Sequence, residues 1–178
     1  MIFEQLSIPG AYLIRQKRIK DDRGVFVKTF HEELFRRAGI RMDIRESYYS
    51  ISHKNVLRGM HFQKPPHHHE KLVFCMQGKV LDVFLDLRKQ SPTFGKTASV
   101  ELSGNEFCAV FLPKGIAHGF LSLEDDSLMY YNVSSVYSPE DDSGILWNSF
   151  GFDWKIESPV MSMRDRNFAA FSPNLCEF

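Results

Sequence analysis

Short runs of apolar and β-branched residues recur along the chain at close spacing. These runs predict β-strands at 10–15, 24–30, 46–52, 71–76, 80–87, 98–102, 107–112 and 127–133. Residues typical of turns lie between many of them, at 22–24, 77–78, 91–93, 103–105 and 113–115. Many short strands joined by frequent turns indicate an all-β sandwich or barrel.

One segment has the period of a helix instead. Thr29 and Glu32 have the spacing of a capping box, and Gly39 is a typical residue just beyond a helix end. The apolar residues between them lie on one helical face: Leu34, Phe35 and Ala38. We therefore expect one helix early in the chain. The tail from Asn148 predicts only turns and short segments.

Length and composition agree with this β-rich interpretation. A chain of 178 residues is long enough for one domain, which we expect to span 1–178. Apolar residues make up 43% and charged residues 25%, as in soluble globular proteins. The 16 phenylalanines favour half-buried strands.

The charge balance excludes one class of partner. The 22 basic and 22 acidic residues give a formal net charge of zero, and no long basic run exists, so a nucleic-acid partner is not expected. An anionic ligand must then be held by a local cluster of basic residues. No apolar stretch has the length of a membrane span or the pattern of a signal peptide, so we expect a cytoplasmic protein without membrane contact.

The cysteines fit the same compartment. Their number, three, is odd, and two of them, Cys75 and Cys108, lie in apolar runs, while the third is Cys176. Reduced thiols are the simplest interpretation of so few cysteines.

Polar residues that could bind a ligand or take part in catalysis are concentrated in two segments. The first, at 56–78, holds the polar residues Arg58, His61, His67, His68, His69, Glu70 and Lys71. The second has the spacing Pro113-x-Gly115-x-x-His118, which resembles the second half of the cupin signature. Cupins often bind a metal through histidines and a glutamate, but counting back from Gly78 puts Lys71 at the glutamate position. Because a cation repels a metal ion, we expect no metal.

Without a metal, proton chemistry is the alternative. Histidine titrates near neutral pH and can act as a base, so His61 and His118 are candidates. Lys71 in a barrel mouth can stabilise a developing oxyanion. Each residue taken alone favours a structural role, whereas the set taken together in a cupin-like barrel favours catalysis.

A longer series of motifs points to one family. They are RGxF at 23–26, VLRGMHFQ at 56–63, KLV at 71–73, DVxxDLR at 82–88, SPTFG at 91–95, PxGxAHGF at 113–120, YxPE at 137–140 and SxxD at 162–165. In order and spacing the chain resembles the dTDP-4-dehydrorhamnose 3,5-epimerases, from Gly10 to Asp165. The resemblance implies a cupin jelly-roll barrel with a few short helices. It also implies a homodimer whose N-terminal strands cross to the partner subunit.

The resemblance further implies roles in the epimerisation of a nucleoside-diphosphate 4-keto sugar. His61 would remove the proton beside the ketone, with Asp165 orienting its ring. Lys71 would stabilise the enolate, and Tyr131 would return a proton to the opposite face. Arg58 would hold the diphosphate, His118 would line the same pocket, and Tyr137 would pack against the base. Two residues would reach into the partner's site. The full set of implied substrate-binding residues is Arg23 and Phe26, which reach the partner, with Arg58, Gln63, His118 and Tyr137. No cofactor is implied, and no GxGxxG fingerprint for a dinucleotide is present.

The chain departs from the family pattern at several positions: Lys28 where a glutamate is usual, Glu46 to Tyr49 where Gln-Asp-Asn-His is common, and Asn132 where a lysine is usual. The nucleotide, the sugar and the number of epimerised centres therefore stay open. A monofunctional 3- or 5-epimerase or a 3,4-ketoisomerase on a GDP-, CDP- or dTDP-linked sugar is the alternative enzyme. The alternative from another class is a non-catalytic cupin that binds a sugar or a metal.

Overall fold

The computed structural model describes residues 1–175 and 178. Its strands are β1 (Ile2–Gln5), β2 (Tyr12–Arg15), β3 (Arg18–Asp21), β4 (Gly24–Val27), β5 (Glu46–Ser52), β6 (Leu57–Gln63), β7 (Lys71–Gln77), β8 (Lys79–Asp86), β9 (Thr97–Ser103), β10 (Cys108–Leu112), β11 (Ile116–Ser122), β12 (Ser127–Val133) and β13 (Asp142–Gly144). The helices are α1 (Glu32–Arg37) and α2 (Met163–Arg166), and a 3₁₀ turn covers Pro173–Leu175.

The strands form two main antiparallel sheets. One has the order β1-β2-β10-β7-β12-β5, and the other has the order β13-β6-β11-β8-β9. Strands β3 and β4 form a separate hairpin. The prediction of an all-β barrel with a few short helices is therefore confirmed.

The alternation of side chains along each strand explains how the core is divided. On β8, Val80 and Phe84 belong to the cluster between the sheets, whereas Val83 and Leu85 belong to a second cluster on the outer face. Because successive side chains point to opposite faces, a strand covered on both sides is apolar throughout. The space between the sheets is thus filled by the first of these clusters, which also includes Tyr131 of β12.

The two outer faces are covered by different segments. Phe35 of α1 packs with Leu72, Phe74 and other residues on the outside of the six-stranded sheet. The C-terminal tail, including Trp154, covers the outside of the five-stranded sheet. This covering brings the tail, and with it α2, close to β6.

The predicted helix is present, but its predicted start is wrong. Its N-cap is His31, which makes no side-chain capping hydrogen bond, so Thr29 does not cap it. The ring of Phe30 packs instead against Phe35, with centroids 4.7 Å apart. Such a hydrophobic staple fixes the start of a helix one residue after the stapling residue. The predicted end is confirmed, since Gly39 has φ of +79° and donates to the carbonyl of Arg36.

Several strand predictions need correction. The run at 24–30 is a strand only to Val27, because the chain then turns into α1. Strands β1, β3, β6, β11 and β13 are not among the runs predicted as strands. The short β1, β3 and β13 have three or four residues each, too few for a clear alternation.

Two further expectations concern sulfur and membranes. Cys75 and Cys108 are buried free thiols, as predicted, whereas Cys176 lies outside the described residues. No helix within 1–175 is long and apolar enough to cross a membrane.

Candidate active site

The centre of the candidate site is a histidine–aspartate pair. His61 lies on β6, and Asp165 lies in α2, where its N–H is capped by the hydroxyl of Ser162 at 3.0 Å. Nε2 of His61 is 2.9 Å from Oδ1 of Asp165, and the N–H of Gly59 donates to Oδ2 at 3.2 Å. Asp165 is therefore held at both oxygens and fixes the imidazole ring.

A close approach of two strands places this pair. Gly59 has φ of +139°, and a Cβ there would lie 2.5 Å from Cα of Gly119 on β11. Since an L side chain fits neither this conformation nor this distance, glycine is required for the Gly59 N–H to reach Asp165.

The protonation of the pair follows from its burial. The carboxylate of Asp165 can only accept, so Nε2 of His61 carries the proton and Nδ1 is left as an acceptor. Burial lowers the pKa of His61 from its ordinary 6.5, against the opposing effect of Asp165. Burial acts to raise the pKa of Asp165. Its hydrogen bonds, of which the one with His61 has the largest effect, nevertheless hold this pKa below its ordinary value. At neutral pH the site presents a neutral imidazole.

Lys71 lies beside this base. It is the first residue of β7, is 6% exposed, and donates from Nζ to the carbonyl oxygen of His61 at 3.1 Å. Burial lowers the pKa of Lys71 from 10.5 to about 8, and the negative charges of Asp142 and Asp82 limit the fall. The ammonium is therefore mostly charged at neutral pH, with little water around it.

Two cavities meet at His61. The smaller has a volume of about 280 Å³ and is lined by Glu46, Tyr48, His61, Phe62, Gln63, His69, Lys71, Val133, Ser135, Tyr137, Asp142 and Arg164. The larger, about 560 Å³, is lined by Val56, Leu57, Arg58, His61, Val160, Met161, Ser162, Arg164 and Asp165. Cavities of roughly 300–1,000 Å³ are typical of small-ligand sites.

Tyr131 lies on the opposite sheet and points inward. It belongs to the cluster between the sheets, whereas its neighbour Tyr130 packs on the outer face. The ring of Tyr48 stacks on the ring of Tyr131, with centroids 4.8 Å apart and planes at 18°. Burial raises the pKa of Tyr131 well above its ordinary 10.0, and the charge of Asp82 adds to this. The phenol therefore keeps its proton at neutral pH.

His118 corrects one expectation. It lies on β11 directly opposite His61 on β6, but it is 3% exposed and lines neither cavity. Its Nε2 is 2.6 Å from Oδ1 of Asp82, and its ring lies edge-on to Tyr131 at 6.0 Å. The inward side chain is held by Asp82 and, like that of Tyr131, belongs to neither cavity wall, so His118 does not line the pocket with His61.

The other predicted binding residues of the barrel divide between the cavities. Arg58 lines the larger one and donates to the hydroxyl of Ser52 at 3.0 Å. Gln63 lines the smaller one, but its amide holds the chain itself, accepting from the N–H of Ser138 at 2.7 Å. Tyr137 lines the smaller one, and its hydroxyl donates to Asp142 at 3.1 Å.

Arg23 and Phe26 are not brought to either cavity of their own chain. Arg23 lies at the tip of the β3–β4 hairpin, where it pairs with Asp21 at 2.5 Å. Phe26 is 61% exposed.

Comparison with known proteins decides the family. The family model described as dTDP-4-dehydrorhamnose 3,5-epimerase matches residues 5–172. The chain belongs to this family. The Shigella flexneri enzyme of that name is 38% identical over 168 residues, which is 93% of this chain and 93% of that protein.

Solved structures agree. The Bacillus anthracis dTDP-4-dehydrorhamnose 3,5-epimerase, with TDP and PPi bound, has a TM-score of 0.93 and 34% identity, covering 96% of this chain and 99% of that one. The Legionella pneumophila enzyme, in complex with dTDP-4-keto-L-rhamnose, has a TM-score of 0.91 and 32% identity, covering 99% of this chain and 94% of that one. The cupin fold expected from the sequence is confirmed.

Membership of the epimerase family makes the chain an enzyme, an isomerase of sugar nucleotides. The non-catalytic alternative is thereby set aside. The functional class predicted from the motifs is confirmed.

In this epimerase, His67 and His69 form hydrogen bonds with other residues of the same chain. Nδ1 of His67 is 2.6 Å from Asp141, and Nδ1 of His69 is 3.0 Å from the hydroxyl of Ser135. Burial lowers the pKa of His69 to about 3. Over the part of the chain that the structure describes, no three His, Cys, Asp or Glu side chains gather as a metal site would require.

Sequence reasoning missed an ion pair in the cavity wall. Arg164 donates to Asp142 at 2.7 Å, and its guanidinium lies 5.2 Å from the centre of the Phe168 ring. Arg164 is shared by both cavities. In the sequence, Arg164 is marked only by its position next to Asp165. Nothing in the sequence indicates that it pairs with Asp142, 22 residues away.

The residues that depart from the family pattern lie at different positions relative to the two cavities. Glu46 lines the smaller cavity and accepts from the N–H of Tyr137 at 2.7 Å. Asn132 accepts from the hydroxyl of Ser47 at 2.7 Å. Lys28 follows the hairpin, outside both cavity walls. Of these departures, those at Glu46 and Tyr48 change the cavity itself.

Proposed function

We propose that this protein inverts C3 and C5 of a dTDP-linked 4-keto-6-deoxy sugar through an enolate. The observation that carries the proposal is one cavity lined by both the His61 imidazole and the Lys71 ammonium. The dTDP-4-keto-L-rhamnose bound to the Legionella relative and the TDP bound to the Bacillus relative support the choice of nucleotide.

His61 is the proposed base. Its free Nδ1 would take the proton from the carbon beside the ketone, and the carboxylate of Asp165, 2.9 Å from Nε2, would stabilise the imidazolium that forms. A positioned base contributes about 10²–10⁴-fold to such a step.

Lys71 is the proposed partner of the ketone oxygen. As the proton leaves, negative charge develops on that oxygen, and a buried ammonium stabilises it more than water does. Lys71 donates to the carbonyl of His61, so the base and the cation are held together.

Tyr131 is the proposed acid. His61 lies on the five-stranded sheet and Tyr131 on the six-stranded sheet, so the two groups approach the space between the sheets from opposite walls. Removal of a proton at one face and return at the other inverts a carbon centre. His118, bound to Asp82, would hold the Tyr131 ring from below.

The larger cavity is the proposed place for the diphosphate. Arg58 lines it, and a guanidinium forms two parallel hydrogen bonds with phosphate oxygens. Tyr137, in the wall of the smaller cavity, would pack against the base of the nucleotide, and Gln63 would position the segment that carries Tyr137.

The hairpin supports a homodimer. Strand β2 pairs with β10 of its own chain, so β3 and β4 are the N-terminal strands left to cross to a partner. Ile19, Val25 and Phe26 are all exposed there, and an isolated hairpin is marginally stable in water. We propose that Arg23 and Phe26 complete the partner's site. Light scattering should give a dimer, whereas a fully active monomer would contradict the arrangement.

The experiment for the function is incubation with dTDP-4-keto-6-deoxyglucose in heavy water. Mass spectrometry should find two deuteriums in the product, and one deuterium would indicate a monofunctional epimerase. His61→Asn should lower deuterium incorporation by about 10²-fold or more. The matched control is His53→Asn, since His53 has an 84% exposed side chain away from the cavities. Absence of exchange in the unaltered enzyme would reject the proposed function.

A further inference from the structure

Tyr48 and Tyr131 form the end of one row of side chains. Tyr48 on β5 is directly opposite Tyr131 on β12, and Tyr131 is opposite Val73 on β7. Since β5 is the edge strand of its sheet, no further strand within the described residues of this chain lies beyond Tyr48. Within one chain, the Tyr48 ring is therefore the last covering of Tyr131 on that side.

Exposure shows what this covering does. Tyr48 is 40% exposed and Tyr131 is 7% exposed. Tyr48 lines the smaller cavity, whereas Tyr131 does not. The stacked Tyr48 ring thus separates one face of the Tyr131 ring from water.

We propose that Tyr48 is a positioning residue whose ring holds the Tyr131 phenol in one orientation and keeps water away from it. This inference rests on the proposed function, in which Tyr131 protonates the enolate. Protonation by Tyr131 gives the inverted centre, whereas a displaced phenol leaves the enolate to be reprotonated from the His61 side, with a proton exchanged with solvent, which returns the original configuration. Tyr48 therefore sets the fraction of proton-exchange events that end in an inverted carbon centre.

The ring of Tyr48, and not its hydroxyl, is the acting group. The Tyr48 hydroxyl makes no hydrogen bond with the residues that the structure describes, so stacking fixes the side chain. Burial, with the charges of Glu46 and Asp142, raises the pKa of Tyr48 to about 12. The phenol is neutral at working pH, so phenylalanine preserves both shape and charge.

The test compares Tyr48→Ala with Tyr48→Phe in heavy water. For each, deuterium exchange and inverted product are measured separately, and their ratio is taken. In Tyr48→Ala exchange should persist while the ratio of inverted product to exchange falls about three- to tenfold, the range expected for one lost aromatic contact. Tyr48→Phe should keep the ratio of the unaltered enzyme. Tyr49→Ala, on the outward face of the same strand, is the matched control and should keep it too.

Two results would overturn the inference. One is an unchanged ratio in Tyr48→Ala. The other is an equal fall in Tyr48→Phe, which would make the hydroxyl the acting group. Tyr48→Leu replaces the alanine variant if that variant does not fold, since leucine keeps apolar bulk without a stacking ring. Failure of the proposed function is distinct, because the unaltered enzyme would then show no exchange at all.

Discussion

Replacing Lys71 with methionine should make the protein more stable and abolish its chemistry. The Lys71 side chain is almost fully buried, and its charge is carried in surroundings that lower its pKa from 10.5 to about 8. Each pKa unit corresponds to about 1.4 kcal/mol, so the buried charge costs about 3 kcal/mol at pH 7. Methionine has a similar length and carries no charge.

The variant also loses one hydrogen bond. Nζ of Lys71 donates to the carbonyl of His61, and removing that donor costs about 1 kcal/mol. The net gain in the free energy of unfolding is then about 2 kcal/mol, or about 4–8 °C in Tm for a chain of this size.

The pH dependence has a definite sign. Between pH 8 and 10.5 the folded enzyme has lost the Lys71 proton while the unfolded chain still binds it, so the unaltered enzyme gains stability as pH rises. The methionine variant lacks this gain. Its advantage should be full at pH 7 and absent at pH 10.

Thermal unfolding followed by circular dichroism at these two pH values measures the difference. Lys79→Met is the control, because the Lys79 side chain is 38% exposed beside Glu101 and its loss should change stability by about 0.5 kcal/mol or less. Deuterium exchange by Lys71→Met should fall by about 10²-fold or more. A methionine variant less stable than the unaltered enzyme at pH 7 would refute the reasoning.

Three further outcomes are expected. Tyr131→Phe should lower inverted product far more than deuterium exchange, with outward-facing Tyr130→Phe as the unaffected control; equal loss of both quantities would count against Tyr131 as the acid. The exchange rate should rise with pH through the lowered pKa of His61 and fall above about 8 as Lys71 loses its proton, and an alkaline limb that stays in place in Lys71→Arg would contradict this assignment. Exhaustive chelation should leave the rate unchanged; activity restored by one particular metal would overturn the metal-free mechanism.

The sequence was most informative where residues alternate over a full strand. The predicted strands at 46–52 and 127–133 coincide with β5 and β12, whose successive side chains face opposite sides of the sheet, as Tyr130 and Tyr131 do. The start of α1 could not be predicted, since the contact of Phe30 with Phe35 overrides the capping pattern at Thr29.

The sequence predicted which residues form the site better than it predicted how deeply each of them is buried. Motif spacing identified His61, Lys71 and Asp165, which the structure brings together. It could not show how deeply His118 is buried, because that depends on its contact with Asp82 on the neighbouring strand β8, 36 residues away in the sequence. The Tyr48 stack likewise depends on β5 pairing with β12, a contact between distant parts of the chain.

The close approach at Gly59 and Gly119 limits how this enzyme can evolve. A methyl group on Gly119 would meet the carbonyl oxygen of Arg58 at 2.8 Å and Cα of Gly59 at 3.0 Å. Arg58 and His61 flank that point on a single strand, so one substitution on β11 displaces both together. A change that moves the proposed diphosphate residue Arg58 is therefore expected to move the proposed base His61 as well, whereas a substitution at Glu46, in the cavity wall of the opposite sheet, can leave both in place.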